Sequence, residues 1–141
     1  MATYKPKFAQ TTKTAVGQTT AANTTLTGAV DDTVTLITAT ASGSGGEGCR
    51  VTHVSMTPTE TLTAGVAYLY LSKDGGTTWR LIDAATVAAD TVSTTDVPSR
   101  VTFSIASTTT PLELEASDRL AVGFSLAKIV DWFAQYQNYA S

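Results

Sequence analysis

The sequence has little of what a disulfide-stapled or membrane-spanning protein requires. It contains one cysteine, Cys49, in 141 residues, and this excludes an intrachain disulfide. Nothing therefore demands an oxidising compartment. No stretch approaches the ~18 consecutive apolar residues of a transmembrane helix. The N-terminus has lysines but no apolar segment after them, unlike a secretory signal. We expect no membrane partner.

Charge is also scarce and unevenly placed. Charged residues make up 15% of the chain, against roughly 25% in an average domain. Residues 1–30 carry three lysines and no acid, a net of +3, whereas residues 31–141 carry six basic and twelve acidic side chains, a net of −6. A basic arm on an acidic body suits either docking onto an acidic protein surface or a solvated tail. Without clustered Lys or Arg we expect no nucleic-acid partner.

The residues that could carry chemistry lack the spacing that chemistry needs. Cys49 and His53 on one strand would lie ~13 Å apart, too far to share a zinc ion. Glu113 and Glu115 would lie ~7 Å apart on one strand face, which is a carboxylate separation found in inverting glycosidases. The same separation occurs on any solvent-exposed strand face that carries two acids. The Gly-rich loop 41–48 runs into a strand, whereas a phosphate loop opens a helix. We expect no enzyme activity, no cofactor and no metal.

Alternating apolar and polar residues predict an all-β fold. Thr is abundant, and β-branched residues suit pleated, half-buried surfaces. With the C-terminal tail there are roughly eight predicted strands, which favours a two-sheet β-sandwich, with the jelly roll as a candidate topology. We interpret residues 1–25 as an extended N-terminal arm and residues 26–141 as the sandwich domain. The predicted strands before the tail cover residues 33–40, 49–57, 65–72, 78–83, 100–105, 112–115 and 119–126.

One turn has a recognisable motif. Ser72, Asp74, Gly76 and Trp79 match the pattern S-x-D-x-G-x-T-W over eight residues, which resembles the Asp-box of sialidases and other propeller proteins. Its physics is that of a turn: Asp accepts backbone amides, Gly tolerates positive φ, and Trp packs beside the hairpin. A sialidase would need several such boxes on propeller blades, and this chain is too short for them. We therefore interpret these four residues as a structural turn.

The C-terminal tail is rich in aromatic residues. Trp132, Phe133, Tyr136 and Tyr139 could lie on a short helix or on a strand, and we favour an edge strand. Such aromatics are enriched in protein interfaces. They could form an oligomer seam, or the strand could close the sandwich within one chain.

Several segments together resemble small virion proteins of tailed bacteriophages. They are the arm at residues 1–10, the hairpin at 68–82, the turn at 111–122 and the aromatic tail. The nearest type is the head decoration or cement protein. The resemblance implies a β-sandwich on the outer capsid lattice, often a trimer, whose partners are the major capsid protein or other virion proteins. It implies assembly in the host bacterial cytoplasm and a final location in the virion.

In this interpretation the arm contacts the partner. The residues involved would be Tyr4, Lys5, Pro6, Lys7 and Phe8, which would become ordered on contact. Two alternatives stay open. One is a tail, neck or fibre component of the same particle. The other is a carbohydrate-binding module, suggested by Trp79, Trp132 and the tyrosines.

Overall fold

The computed structural model describes residues 8–39 and 47–140, and every regular element in these ranges is a β-strand. In this part of the chain no helix is long and apolar enough to cross a membrane. Tyr4, Lys5, Pro6 and Lys7 of the predicted contact arm, and most of loop 41–48, lie outside the described ranges. The strands are β1 (Phe8–Ala9), β2 (Lys13–Thr19), β3 (Thr27–Gly28), β4 (Thr33–Thr38), β5 (Cys49–Pro58), β6 (Gly65–Ser72), β7 (Trp79–Val87), β8 (Val101–Thr102), β9 (Leu112–Leu114), β10 (Arg119–Phe124) and β11 (Val130–Ala140).

The strands form two antiparallel sheets. In the first sheet β1 and β2 share one edge, followed by β11, then β5, then β8 and β9 at the opposite edge. The second sheet has the order β3, β7, β6, β10, β4. Buried apolar side chains from both sheets form one continuous core. The predicted all-β, two-sheet sandwich is confirmed.

The C-terminal aromatic segment is a strand, but it does not lie at a sheet edge. β11 pairs with β2 on one side, from Val130 opposite Thr19 to Tyr136 opposite Lys13. On its other side it pairs with β5. The predicted edge position is therefore wrong. The second neighbour comes from the N-terminal segment, and local alternation carries no information about so distant a partner.

The N-terminal segment, predicted as an extended arm, enters both layers of the fold. Its β2 belongs to the first sheet, and the chain then crosses the outer face of the second sheet. There the Tyr70 hydroxyl donates to the amide oxygen of Asn23 at 2.5 Å. Asp31 Oδ1 accepts the backbone amides of Thr24 and Thr25 at 3.0 and 2.9 Å. These bonds fix the segment over a second, smaller cluster of buried side chains.

Trp132 anchors the core of the first sheet. Its side chain is 1% exposed, and its indole Nε1 donates to Thr19 Oγ1 at 3.0 Å. The indole stacks on Phe103 with ring centroids 6.3 Å apart. Truncating a buried Trp typically costs about 3–5 kcal/mol. This contact therefore ties β11, β2 and the chain after β8 into one unit.

The strand predicted for residues 100–105 is shorter in the structure. β8 covers only Val101–Thr102, and pairing with β5 resumes at Leu112–Leu114. Between β8 and β9 the chain is not paired with β5. Phe103 and Ala106 are nevertheless each 2% exposed. Insertion of their side chains into the core takes the place of continued pairing.

We predict that Gly48→Ala destabilises the fold far more than Gly28→Ala. Both glycines have positive φ, +91° and +75°, and that alone costs Ala about 1–2 kcal/mol. A Cβ on Gly48 would also lie 2.0 Å from the carbonyl oxygen of Leu114, whereas a Cβ on Gly28 meets nothing within 4 Å. We expect a total loss of roughly 2–4 kcal/mol for Gly48→Ala, measured by urea unfolding. Equal losses for the two variants would contradict the clash.

Candidate interaction surface

The hairpin turn between β6 and β7 is held by Ser72 and Asp74. Ser72 Oγ accepts the Gly76 amide at 2.8 Å and donates to Asp74 Oδ1 at 2.8 Å. Asp74 Oδ1 also accepts the amides of Thr77 and Thr78 at 3.1 and 2.8 Å. The Thr78 amide, followed by the Ser72 hydroxyl, lowers the pKa of Asp74 to about 2. The carboxylate thus serves as a turn acceptor.

Trp79 follows this turn as the first residue of β7. It is 8% exposed and packs with Tyr70 and Ala121 on the outer side of the second sheet. Gly76, with φ +94°, lets the chain reach this position without the strain that a side chain would meet. The motif residues therefore build a turn and a small cluster, and their indole is not available to stack on a ligand.

Lys73 joins the hairpin turn between β6 and β7 to the turn before β10. Its Nζ contacts Glu115 Oε2 at 2.7 Å and Asp118 Oδ2 at 2.8 Å. Asp118 Oδ2 also accepts the backbone amide of Glu115 at 2.8 Å. These bonds to Asp118 and Glu115 raise the pKa of Lys73. Two segments far apart in sequence are thereby clamped at one end of the sandwich.

The two glutamates that could have formed an acid–base pair serve different ion pairs. Glu113 accepts from Arg50 Nε at 2.7 Å and from the Tyr139 hydroxyl at 2.6 Å. Glu115 instead binds Lys73. The two carboxylates therefore do not converge on a shared gap, as glycoside hydrolysis would require.

Cys49 and His53 point to opposite sides of the first sheet. Cys49 faces the core with no exposure, and burial raises the pKa of its thiol to about 12. His53 lies on the outer side, with its ring centroid 5.8 Å from that of Phe133. Burial, followed by the charge of Arg100, lowers the pKa of His53. Within the described ranges, no group of three His, Cys, Asp or Glu residues could hold a metal ion.

The aromatic tail residues do not share one surface. Trp132 is buried, so it cannot contribute to the predicted oligomer seam, nor can it stack on a sugar. Tyr136 packs partly buried against the core, and Tyr139 is held by Glu113. Phe133 and Tyr139 lie on the outer face, Phe133 beside Val16 and Tyr139 against the exposed Arg50. The alternation along β11 indicates that Trp132 faces the core, because the apolar residues Val130 and Ala134 share its strand face.

The outer face of the first sheet carries exposed apolar side chains. The register places Val16 of β2 beside Phe133, and Phe133 beside Ser55. Val16 is 78% exposed. In the next row Gln18 Nε2 donates to Asp131 Oδ1 at 2.8 Å. The side chains of Val16, Gln18, Asp131 and Phe133 line an open groove of about 530 Å³.

Sequence reasoning missed Val16. Val16 shares its strand face with Thr14 and Gln18, as Phe133 shares its face with Asp131. Contiguous exposed apolar residues indicate a contact surface, and Val16 gains an apolar neighbour, Phe133, only once β2 pairs with β11. Phe8, the one described residue of the predicted contact arm, lies at the same sheet edge and is 65% exposed.

We predict that Asp74→Ala lowers the melting temperature and that this loss depends on pH. The folded-state pKa of about 2 lies below the ordinary value of 3.8, so the carboxylate contributes stability above pH 3.8. That contribution disappears as the pH falls through about 2. The gap between wild type and Asp74→Ala should therefore narrow in acid, as followed by thermal melts. Asp74→Asn, which keeps an acceptor oxygen, should lose less, and a gap independent of pH would contradict this role.

The chain was compared with protein-family models and with curated protein sequences. No protein-family model matches the chain. No curated protein matches it at a significant level. The functional conclusion therefore depends on the contacts and exposure of the described residues.

Proposed function

We propose that the chain is a non-catalytic virion structural protein that decorates and stabilises a tailed-phage capsid by binding the assembled lattice. Its partners would be the major capsid protein or other virion proteins, and it would itself form a homo-oligomer. The observation that carries the proposal is the exposed edge of the first sheet. Phe8 and Val16 lie exposed along it, and the basic residues of the arm precede Phe8 directly.

We further infer that the sandwich is a jelly roll. β8 and β9 both pair with β5 and act as one interrupted strand. With that merger, and leaving out the short β1 and β3, the first strand pairs with the last and each later pair nests inside the one before it. Such nested antiparallel pairs wrap into the two sheets of a jelly roll, a fold common in viral capsid and lectin domains. The pairs are β2 with β11, β4 with β10, β5 with β8 and β9, and β6 with β7.

Charge supports binding to a protein partner. The arm is basic and the remainder of the chain is acidic. Opposite electrostatic potentials speed the encounter of two proteins and fix their orientation. The basic arm would therefore turn toward an acidic surface, and the acidic body would turn away from it. An acidic patch on the partner is therefore the chemistry that the arm fits best.

The polar side chains also support a structural role. Asp31, Asp74 and Asp118 accept backbone amides, and Glu113 and Glu115 neutralise cations. A general base needs a carboxylate or imidazole free to approach a substrate proton. The carbohydrate-binding alternative is weakened as well, because Trp79 and Trp132 are buried.

We predict that Lys5→Glu/Lys7→Glu weakens capsid binding by roughly tenfold at low salt, because these residues would meet an acidic surface. Binding is measured by co-sedimentation with capsids that lack this protein. The matched control is Arg80→Glu/Lys128→Glu, which changes net charge equally on the body and should bind nearly as wild type. Equal effects of both double variants would show a general charge effect and contradict a specific arm contact.

Electron cryo-microscopy of intact particles tests the location. Density for the chain on the head lattice supports decoration, and heat resistance of the capsid should fall when the protein is omitted. Density at the tail or neck would favour the alternative component of the same particle. A chain absent from purified virions would overturn the proposed function.

A further inference from the structure

β2 differs from the other sheet edges of the described chain. An exposed edge strand presents unpaired backbone groups that can pair with another chain, and proteins usually blunt such edges with bulges or by keeping them short. β1, β3, β8 and β9 have two or three residues each. β2 has seven and pairs with β11 without a register shift. Among described residues, its backbone is paired on the β11 side alone.

The other long edges contain bulges. Among described residues β7 pairs with β3 at Trp79 and Arg80 alone, and its register with β6 shifts between Leu69, opposite Asp83, and Tyr70, opposite Leu81. β4 has six residues, but its pairing with β10 shifts between Leu120, opposite Ile37, and Ala121, opposite Thr35. Leu36 is therefore an extra residue on β4. A bulge bends its strand and increases the local twist, which disfavours pairing with a further strand. β2 is thus the long, regular edge of this sandwich.

The sequence of β2 is suited to pairing with itself. A two-fold axis places the same strand on both sides of an interface, so the residue at the axis meets its own copy. When two antiparallel copies of β2 overlap over their full length, Lys13 lies opposite Thr19 and Val16 lies at the axis. The register set by the strand ends therefore brings together the two copies of Val16, an exposed and β-branched residue. The one charged residue of β2 faces a neutral one.

We propose that two copies of this chain associate by antiparallel pairing of their β2 strands about a two-fold axis at Val16. The first sheets then continue across the interface. Phe133 lies beside Val16 in the β2–β11 register. The contact therefore becomes an apolar row made of Val16 and Phe133 from one copy and the same two residues from the other. The β2 interface specifies how the chain would self-associate, and the expectation of self-association itself rests on the proposed function. The two-fold gives a dimer, whereas the resemblance to decoration proteins implies a trimer.

Val16→Lys tests the contact. At the axis two lysines would face each other, and like charges directly opposite in a sheet are destabilising. Val16 is 78% exposed, so the monomer fold should persist, as checked by circular dichroism and the melting temperature. We expect the dimer dissociation constant to rise roughly fivefold in sedimentation equilibrium. Val97→Lys is the matched control at a site 91% exposed, and it should associate as wild type.

Cross-linking gives an independent readout. Facing Cβ atoms in an antiparallel pair lie roughly 4.5–5.5 Å apart, close to the separation that a disulfide bridges. Under mild oxidation, Val16→Cys should form a covalent dimer much faster than Val97→Cys. The native Cys49 is fully buried, so it should not compete.

Two results would overturn the proposed pairing. One is a wild-type chain that stays monomeric at high concentration with equal cross-linking of both cysteine variants. The other is an oligomer that Val16→Lys leaves unchanged. Neither result bears on the virion location, because capsid binding is measured separately. Conversely, a chain absent from virions but dimeric through Val16 would sink the proposed function and leave this interface standing.

Discussion

The fold depends on the central position of β11 in the first sheet. β11 lies between β2 and β5, so the beginning and the end of the chain are adjacent in space. Closing so long a loop costs entropy before any contact forms. The contacts that offset it are the paired ladders and the buried Trp132, which bonds Thr19 and stacks on Phe103. Without this pairing, Val16 and Phe133 would not share a surface.

The two outer faces of the sandwich differ because of the path that follows β2. The chain crosses the second sheet, where Asn23 bonds Tyr70 and covers a small cluster that includes Trp79. The first sheet has no such cover within the described chain around Val16 and Phe133. Its outer face and the adjacent edge therefore offer neighbouring exposed apolar side chains to a partner.

A charge-poor chain uses its carboxylates for structure. Asp74 and Asp31 bind amides within turns, and hydrogen bonds lower both pKa values to about 2. Asp118 accepts an amide and pairs with Lys73 across two turns. A carboxylate fixed by several donors stabilises a loop and has little freedom to move protons. These carboxylates therefore hold turns in place.

The sequence alone determined the all-β class and the two-sheet architecture, because the alternation of apolar and polar residues is a local property. Beyond the fold class and the two sheets, it indicated the turn around Asp74, whose bonds span only a few residues. The tertiary structure decided what depends on distant partners: the internal position of β11, the early end of β8, the burial of Trp132 and the entry of Lys13–Thr19 into the sheet. Strand neighbours are selected by packing and closure over the whole chain, and no window of adjacent residues contains that information.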